Sequence, residues 1–200
     1  MAPKSSARER LLAAANELFY REGVHTVGID RVIEQAGVAK ASLYNTFGSK
    51  DELVRAYLDG RHAEMAERIS RALGRYHTPR DRLLGVFDAQ EELFAEPGFR
   101  GCAFASASAE SPGDAVNAAA AEYRGWVRGL FTSLAREAGA PDPEGLARQL
   151  HLLYDGASLS PGHELKGAAL VDSMDTTVWV PEGSSARIDQ HGTFIMEVAR

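Results

Sequence analysis

The chain has 200 residues, of which 44% are hydrophobic and 25% are charged, a composition that excludes a wholly disordered protein. No apolar run approaches the roughly 18 residues of a bilayer span, and no secretory signal core follows the first residues, so we expect a cytoplasmic protein without a membrane partner. The single cysteine, Cys102, excludes an internal disulfide and a cysteine-rich zinc site. Because no catalytic, phosphate-binding or metal-binding motif is present, we predict no enzyme, no cofactor and no metal.

Charge is distributed unevenly along the chain. The net charge is −6, from 22 basic and 28 acidic residues. Residues 1–60 contain eight of each sign, so the whole excess of acid lies in residues 61–200. An acidic total argues against a nucleic-acid partner, because duplex binding depends on neutralising phosphates. The neutral N-terminal segment, however, is compatible with a local basic site.

The first part of the chain predicts four helices with clear boundaries. Ser6–Glu9 and Ser49–Glu52 are capping boxes, in which a serine and a glutamate three residues later satisfy the first backbone N–H groups of a helix. Gly23 and Gly37 are placed to end helices. Apolar residues between these signals repeat at helical spacing. The predicted helices cover about residues 6–22, 27–36, 39–47 and 50–73.

The remainder predicts four more helices and an atypical tail. The helices cover about residues 80–95, 101–109, 115–138 and 144–159. From residue 160 the helical periodicity fades, the β-branched segment 176–180 predicts a strand, and 193–198 fits a strand or a helix. The expected fold is all-α, with an N-terminal helical head at 1–60, a second helical domain at 61–159, and a tail at 160–200 that is partly β or disordered.

Residues 28–47 carry the functional signal. Two short helices joined at a glycine, with another helix packed behind them, form the helix-turn-helix pattern. Short polar side chains on the second helix of this pair reach base edges in the major groove, and basic or hydroxyl side chains at helix starts contact phosphates. A plain three-helix bundle is the structural alternative. The candidate DNA-binding residues are Thr26, Lys40, Ala41, Ser42, Tyr44, Asn45 and Lys50.

The N-terminal sequence resembles the DNA-binding domain of the TetR family of transcriptional regulators. The resemblance lies in residues 8–23, in 29–38, and in the Leu43-Tyr-x-x-Phe47 run followed by Ser49-Lys50 and Leu53. It implies an all-helical homodimer with a C-terminal domain that binds a small-molecule effector. It also implies that the last long helices form an intersubunit four-helix bundle, and that the effector spreads the two heads so that they leave the double-stranded DNA operator.

Three features depart from the family pattern. Ala39 stands where the family often has a capping serine or threonine, and Thr46 stands where many members have histidine. The third departure is the tail, because the family usually continues its last bundle helix beyond Leu159, whereas this chain turns at Pro161. A TetR-like chain whose tail prevents dimerisation is therefore an alternative to the homodimer.

The effector site is predicted from aromatic and polar residues of the C-terminal helices. Aromatic residues at helical spacing are core residues first and ligand contacts second. His151 and Asp155 lie one turn apart and could ligate a metal, but two residues do not make a site, and a pocket or core role is favoured. Cys102 is expected to be buried, with a redox-sensing thiol as the alternative. The candidate ligand-binding residues are Phe87, Phe104, Trp126, His151, Tyr154 and Asp155.

The sequence thus predicts a ligand-released repressor that binds a palindromic operator as a homodimer. The alternative is a helical small-molecule-binding protein or enzyme with a vestigial DNA-binding head. The identity of the effector is not predicted.

Overall fold

A computed structural model describes residues 5–111 and 113–159, together with the backbone of five strands between residues 164 and 197. The predicted all-α architecture is confirmed, since eight helices account for most of residues 7–159. Of the helices in this described part, none has both the length and the hydropathy of a bilayer span. The helices are α1 (Ala7–Glu22), α2 (Ile29–Ala36), α3 (Lys40–Phe47), α4 (Lys50–Leu73), α5 (Pro79–Phe94), α6 (Ala103–Glu110), α7 (Asp114–Glu137) and α8 (Pro143–Leu159).

The signals that start and end the first helices act as the sequence predicts. Ser6 Oγ accepts a hydrogen bond from the Glu9 N–H at 3.2 Å, and Glu9 Oε2 accepts one from the Ser6 N–H at 2.8 Å, so this capping box is confirmed. At the start of α4, Ser49 Oγ accepts a hydrogen bond from the Glu52 N–H at 3.1 Å. The chain turns at Gly23, whose φ of 91° is unfavourable for a residue with a Cβ.

The prediction for Cys102 is wrong. The helix predicted from Gly101 begins at Ala103, because Gly101 has a φ of 92° and Cys102 is extended, so neither residue continues the helical backbone. As the residue that precedes α6, Cys102 is half-buried. The neighbouring Phe104, inside the helix, is buried as expected.

The chain divides into two compact units. The first unit contains Met1–Glu64 and Cys102–Tyr123, so the N-terminal helices are grouped with α6 and the start of α7. Its core includes Leu11, Leu43 and Leu58, each fully buried. The Phe19 and Tyr57 rings meet edge to face at 5.7 Å, and burial raises the pKa of the Tyr57 hydroxyl.

The second unit contains Met65–Gly101 and Arg124–Arg200. Thr78 caps α5 by accepting a hydrogen bond from the Asp81 N–H at 3.1 Å, and Pro79 occupies the first turn of that helix. The Tyr76 ring packs against Gly85, where an added Cβ would lie 2.6 Å from Tyr76 Cδ2. A larger residue at position 85 would therefore displace the ring.

Part of the tail forms antiparallel strands. The strands are β1 (Glu164–Lys166), β2 (Ala169–Ser173), β3 (Thr176–Val180), β4 (Ser185–Ile188) and β5 (Phe194–Glu197). Strands β1, β4 and β5 form one sheet in the order β1-β4-β5, and β2 pairs with β3. The strand predicted at 176–180 is thus confirmed as β3, and the segment at 193–198, for which a strand or a helix was expected, contains β5. The predicted partly β character of the tail is confirmed for these segments.

Candidate nucleic-acid interface

The helix-turn-helix frame is built from α2 and α3. Gly37 joins them with a φ of 60°, in the left-handed region that favours glycine. Its N–H donates to Glu34 O at 3.1 Å, and the next N–H, of Val38, donates to Ile33 O at 3.3 Å. These bonds satisfy the C-terminal carbonyl groups of α2 and fix the angle at which the chain enters α3.

Two arginines of α1 hold this frame, and the sequence prediction missed both. Arg10 Nη1 donates to Gly37 O at 3.0 Å, so a charged donor from α1 caps the end of α2. The Arg8 guanidinium lies 5.7 Å from the centroid of the Phe47 ring, at the end of α3. Helical spacing offered a signal for Arg10, because it is one turn from the buried Ala14 and therefore borders the packed face of α1.

The structure brings five of the seven predicted DNA-binding residues together on α3. Leu43 is fully buried, so the face of α3 that carries it packs into the core. Four predicted contacts are exposed and Ser42 is half-buried, so they form one accessible polar face, which we call the recognition surface. Its α3 residues are Lys40, Ala41, Ser42, Tyr44 and Asn45.

The other two predicted contacts border the recognition surface in the sequence. Thr26 is exposed in the turn before α2, and Lys50 is the half-buried first residue of α4. Ala39 gives α3 no side-chain cap, as its departure from the family pattern implies. Thr46 Oγ1 donates to Ser42 O at 2.6 Å, so this hydroxyl is used within α3.

Acidic side chains accompany the basic groups of this region. Lys40 Nζ lies 2.8 Å from Asp30 Oδ1, and this hydrogen bond raises the pKa of the Lys40 ammonium. Arg31 likewise pairs with Glu22, and hydrogen bonds from Arg31 and then Arg21 lower the pKa of the Glu22 carboxyl. Lys40 therefore has a carboxylate counter-charge on the preceding helix, α2.

Helices α6 and α7 contact the N-terminal helices within the first unit. Glu110, the last residue of α6, accepts a hydrogen bond from the His25 N–H at 3.2 Å. The carboxylate also lies against Gly23, where an added Cβ would be 2.8 Å from Glu110 Oε1. Arg55 Nη2 of α4 lies 2.6 Å from Glu122 Oε2 of α7. Two polar contacts thus join α6 and α7 to the turn before α2 and to α4.

The predicted effector residues are divided between the two units. Phe104 belongs to the first unit, where it stacks on Tyr123 with ring centroids 4.0 Å apart. In the second unit the Phe87 and Tyr154 rings meet at 6.3 Å, and both rings contact Phe131. Trp126 is half-buried on α7.

The second unit also buries polar groups next to its aromatic cluster. His151 Nε2 is 3.5 Å from Asp155 Oδ2 of the same helix, and His151 is almost fully buried. Gln90, which the sequence prediction missed, donates from Nε2 to Tyr154 O and to Ser158 Oγ, each at 2.7 Å. The buried Gln90 amide is thus bonded to the backbone of Tyr154, whose ring belongs to the aromatic cluster, and small-molecule sites likewise combine apolar walls with a few polar groups.

Comparison with known proteins agrees with this geometry. The family model of bacterial regulatory proteins of the tetR family matches residues 11–57. A second model, the hydantoinase/oxoprolinase C-terminal domain, matches residues 149–198. The first match covers α2, α3 and most of α1, and the second covers the end of α8 and the strands.

Individual relatives extend the match beyond the N-terminal helices. The chain is 36% identical over 87 residues to the HTH-type transcriptional activator FasR of Mycolicibacterium smegmatis, covering 44% of this chain and 40% of FasR. It is 32% identical over 108 residues to the HTH-type transcriptional repressor NemR of Escherichia coli, covering 52% of this chain and 53% of NemR. The matches thus span about two fifths to one half of these curated relatives.

A solved structure gives the longest coverage of the three. SCO4454 of Streptomyces coelicolor, described as a TetR-family transcriptional regulator, is 38% identical to this chain with a TM-score of 0.71. The match covers 76% of this chain and 82% of SCO4454. Sequence, fold and the helix-turn-helix frame therefore agree, and the chain belongs to the TetR family of helix-turn-helix transcriptional regulators.

Proposed function

We propose that this protein is a repressor that binds a palindromic operator as a homodimer and releases it when a small-molecule effector binds. Regulators of its family bind DNA and small-molecule effectors. The observation that carries the proposal is the recognition surface, in which α3 buries Leu43 and exposes Tyr44 and Asn45 on a frame capped by Arg10. Because the matching family consists of bacterial regulators, whose DNA is cytoplasmic, the proposal locates the protein in the cytoplasm.

The proposed DNA contacts follow from side-chain chemistry. Ser42 and Asn45 hydrogen-bond base edges in the major groove, and Ala41 allows close approach. Lys40, Tyr44 and Lys50 contact phosphates, as does the Thr26 hydroxyl. Two such heads, related by the twofold axis of a dimer, would read two half-sites about one helical turn apart.

The proposed effector site lies in the helical domain at 61–159, among the aromatic and polar residues predicted from the sequence. It is supported by the buried polar groups beside the Phe87 and Tyr154 rings. The contacts of Glu110 and Glu122 with the N-terminal helices supply a route by which an effector-bound arrangement changes the position of the head. The effector shifts the equilibrium between the DNA-binding and the DNA-releasing arrangement of the heads. The size of that shift is set by the difference between its affinities for the two arrangements.

The proposed dimer uses the outer face of α7 and α8. Gly125 and Gly129 are exposed in the interior of α7, where each glycine costs about 1 kcal/mol relative to alanine. Apart from its own stretch of helix, an added Cβ at either position would meet no atom of the described residues within 4 Å, so packing among those residues does not require glycine there. Bare backbone on this face instead permits close approach of a second copy, consistent with the bundle that the family resemblance implies.

Specific DNA retention tests the proposal. The full chain is mixed with labelled DNA from upstream of its own coding sequence, with a shuffled fragment of the same composition as control. We expect retention of the upstream fragment only, in the presence of excess unlabelled competitor. Absence of specific retention at low salt would contradict the proposal and favour the alternative of a small-molecule-binding protein or enzyme with a vestigial head.

A reporter placed behind the retained fragment tests the sign of regulation. A repressor lowers reporter expression when the full chain is present, and expression rises when a variant unable to bind DNA replaces it. Activation by the wild-type chain would contradict repression while leaving DNA binding intact. NemR is named a repressor and FasR an activator, so the measurement decides between two precedents.

A further inference from the structure

The outer face of α7 and α8 contains a groove with a volume of about 510 Å³. Its lining includes three arginines, one glutamate and two hydroxyl side chains. On α7 the basic residues are two turns apart, and on α8 the acidic and basic residues are one turn apart, so their side chains converge on one surface. These residues are Arg128, Thr132, Ser133 and Arg136 of α7 and Glu144 and Arg148 of α8.

The groove carries more positive than negative charge. Arg136 Nη2 is 2.9 Å from Glu144 Oε1, and this pair contains the one carboxylate among the described residues of the lining. Arg128 and Arg148 are exposed, and their guanidinium groups form no ion pair with any residue whose side chain the structure describes. We refer to this surface as the cationic groove.

The cationic groove coincides with the face of the proposed dimer, because Gly125 and Gly129 also line it. A second copy that covers the two glycines by twofold symmetry brings its own Arg128 and Arg148 to the same interface. Four guanidinium groups without carboxylate partners would then lose solvent together. Burial of unpaired charge opposes association unless a counter-ion of suitable geometry accompanies it.

We propose that the cationic groove binds an oxyanion of the phosphate class and that this anion stabilises the dimer. The proposal rests on the α7–α8 dimer of the proposed function. The planar guanidinium fork binds phosphate oxygens in a bidentate manner, which chloride does not reproduce. The Ser133 hydroxyl, on the same surface, is a further donor to oxygen, whereas the Thr132 hydroxyl already donates to Arg128 O at 2.9 Å. Inorganic phosphate and the phosphate group of a metabolite share this chemistry.

Sedimentation equilibrium of the full chain tests the proposal in sodium phosphate and in sodium chloride of equal ionic strength at pH 7. Equal ionic strength keeps general screening constant. We expect the dimer dissociation constant of the wild type to be about tenfold lower in phosphate, because the anion bridges charges that otherwise repel. In the double variant Arg128→Gln and Arg148→Gln the two salts should give the same constant.

The double variant Arg71→Gln and Arg80→Gln is the matched control. It removes the same charge from two exposed arginines of the second unit that do not line the groove, so it should retain the preference for phosphate. Equal dissociation constants of the wild type in both salts, or loss of the preference in the control, would overturn the proposal.

Failure of the proposed homodimer can be distinguished from failure of the proposed anion site. A monomer in both salts would contradict the proposed homodimer, and calorimetric titration with inorganic phosphate would then decide the anion site alone. A binding heat that is present in the wild type and absent in the Arg128→Gln, Arg148→Gln variant would support the site. No heat, or the same heat in both proteins, would overturn it. Pyrophosphate in a parallel titration separates a lone phosphate group from a larger phosphorylated ligand.

Discussion

The recognition surface and the cationic groove both contain basic side chains, but these side chains differ in whether an acidic partner lies beside them. In the first region Lys40 has a counter-charge 2.8 Å away in Asp30. In the second region Arg128 and Arg148 have no acidic partner among the described side chains. The first lies in a segment with no net charge and the second in a segment with an excess of acid. Local arrangement, and not the net charge of a segment, therefore determines where an anion can bind.

We expect the recognition surface, unlike the cationic groove, to contact bases as well as phosphates. Asn45→Ala should weaken operator binding by about 1–3 kcal/mol and relax the preference at one base position, since a bidentate amide contact is lost. Quantitative gel shifts on operator variants measure both effects. Gln35→Ala, which removes an exposed amide of α2 bonded to Glu17, is the control and should bind as the wild type does. An unchanged base preference in Asn45→Ala would contradict direct readout by this residue.

The next prediction concerns a basic residue at a helix start. Lys50→Ala should weaken binding to specific and shuffled DNA alike and reduce the slope of log K against log[salt] by about 0.9, the value of one phosphate contact. Affinity measurements at several salt concentrations give the slope. Arg71→Ala, outside the head, should leave the slope unchanged. A changed base preference with the original slope would show that Lys50 has another role.

A smaller effect tests whether Asp30 restrains Lys40. Asp30→Asn should tighten binding a few-fold at low salt, because the Lys40 ammonium no longer has to exchange a carboxylate for a phosphate. The gain should be smaller in a Lys40→Ala background, and a double-mutant cycle of DNA affinities measures that difference. Glu34→Gln removes a negative charge from the same helix and is the control. An equal gain in the two backgrounds would mean that Asp30 acts by general repulsion of DNA.

The smallest expected effect concerns the pH dependence of stability. Hydrogen bonds from Arg31 and Arg21 lower the pKa of the Glu22 carboxyl in the folded chain below its ordinary value of 4.5. Its contribution is therefore present above that pH and is lost as the pH falls through the folded pKa. The difference in unfolding free energy between wild type and Glu22→Gln should be constant near neutral pH and shrink in acid. Urea denaturation at several pH values measures it, and a difference that is independent of pH down to 3 would refute the assignment.

Much of the head could be predicted because its signals are local. The capping box at Ser6 and the turn at Gly37 depend on residues within a few positions of one another, so their consequences can be worked out from the sequence. The same reasoning missed Arg10, because its partner Gly37 is 27 residues away. It also placed Cys102 in the core, because the apolar character of this residue does not show that α6 begins only at Ala103.

The helical domain was less predictable because its contacts are non-local. The spacing of Phe87 and Tyr154 indicates that both face inward, but only the fold brings their rings to 6.3 Å. Phe104, grouped with them in the prediction, stacks on Tyr123 in the first unit instead. Gln90 gave no signal at all, because a buried amide is recognised only when its acceptors on α8 are known. The predicted ligand-binding set thus remains a proposal.

The sequence by itself determined the family, the order of the eight helices and the helix-turn-helix, because caps, glycine turns and apolar periodicity are written in consecutive residues. The tertiary structure decided which charges have partners. Lys40 contacts Asp30 across ten residues of sequence, and Glu110 contacts the turn at His25 across 85. The guanidinium groups of α7 and α8 converge on a groove in whose lining the described residues supply one carboxylate. Electrostatic interaction depends on distance in space, and that distance is set by packing rather than by position in the chain.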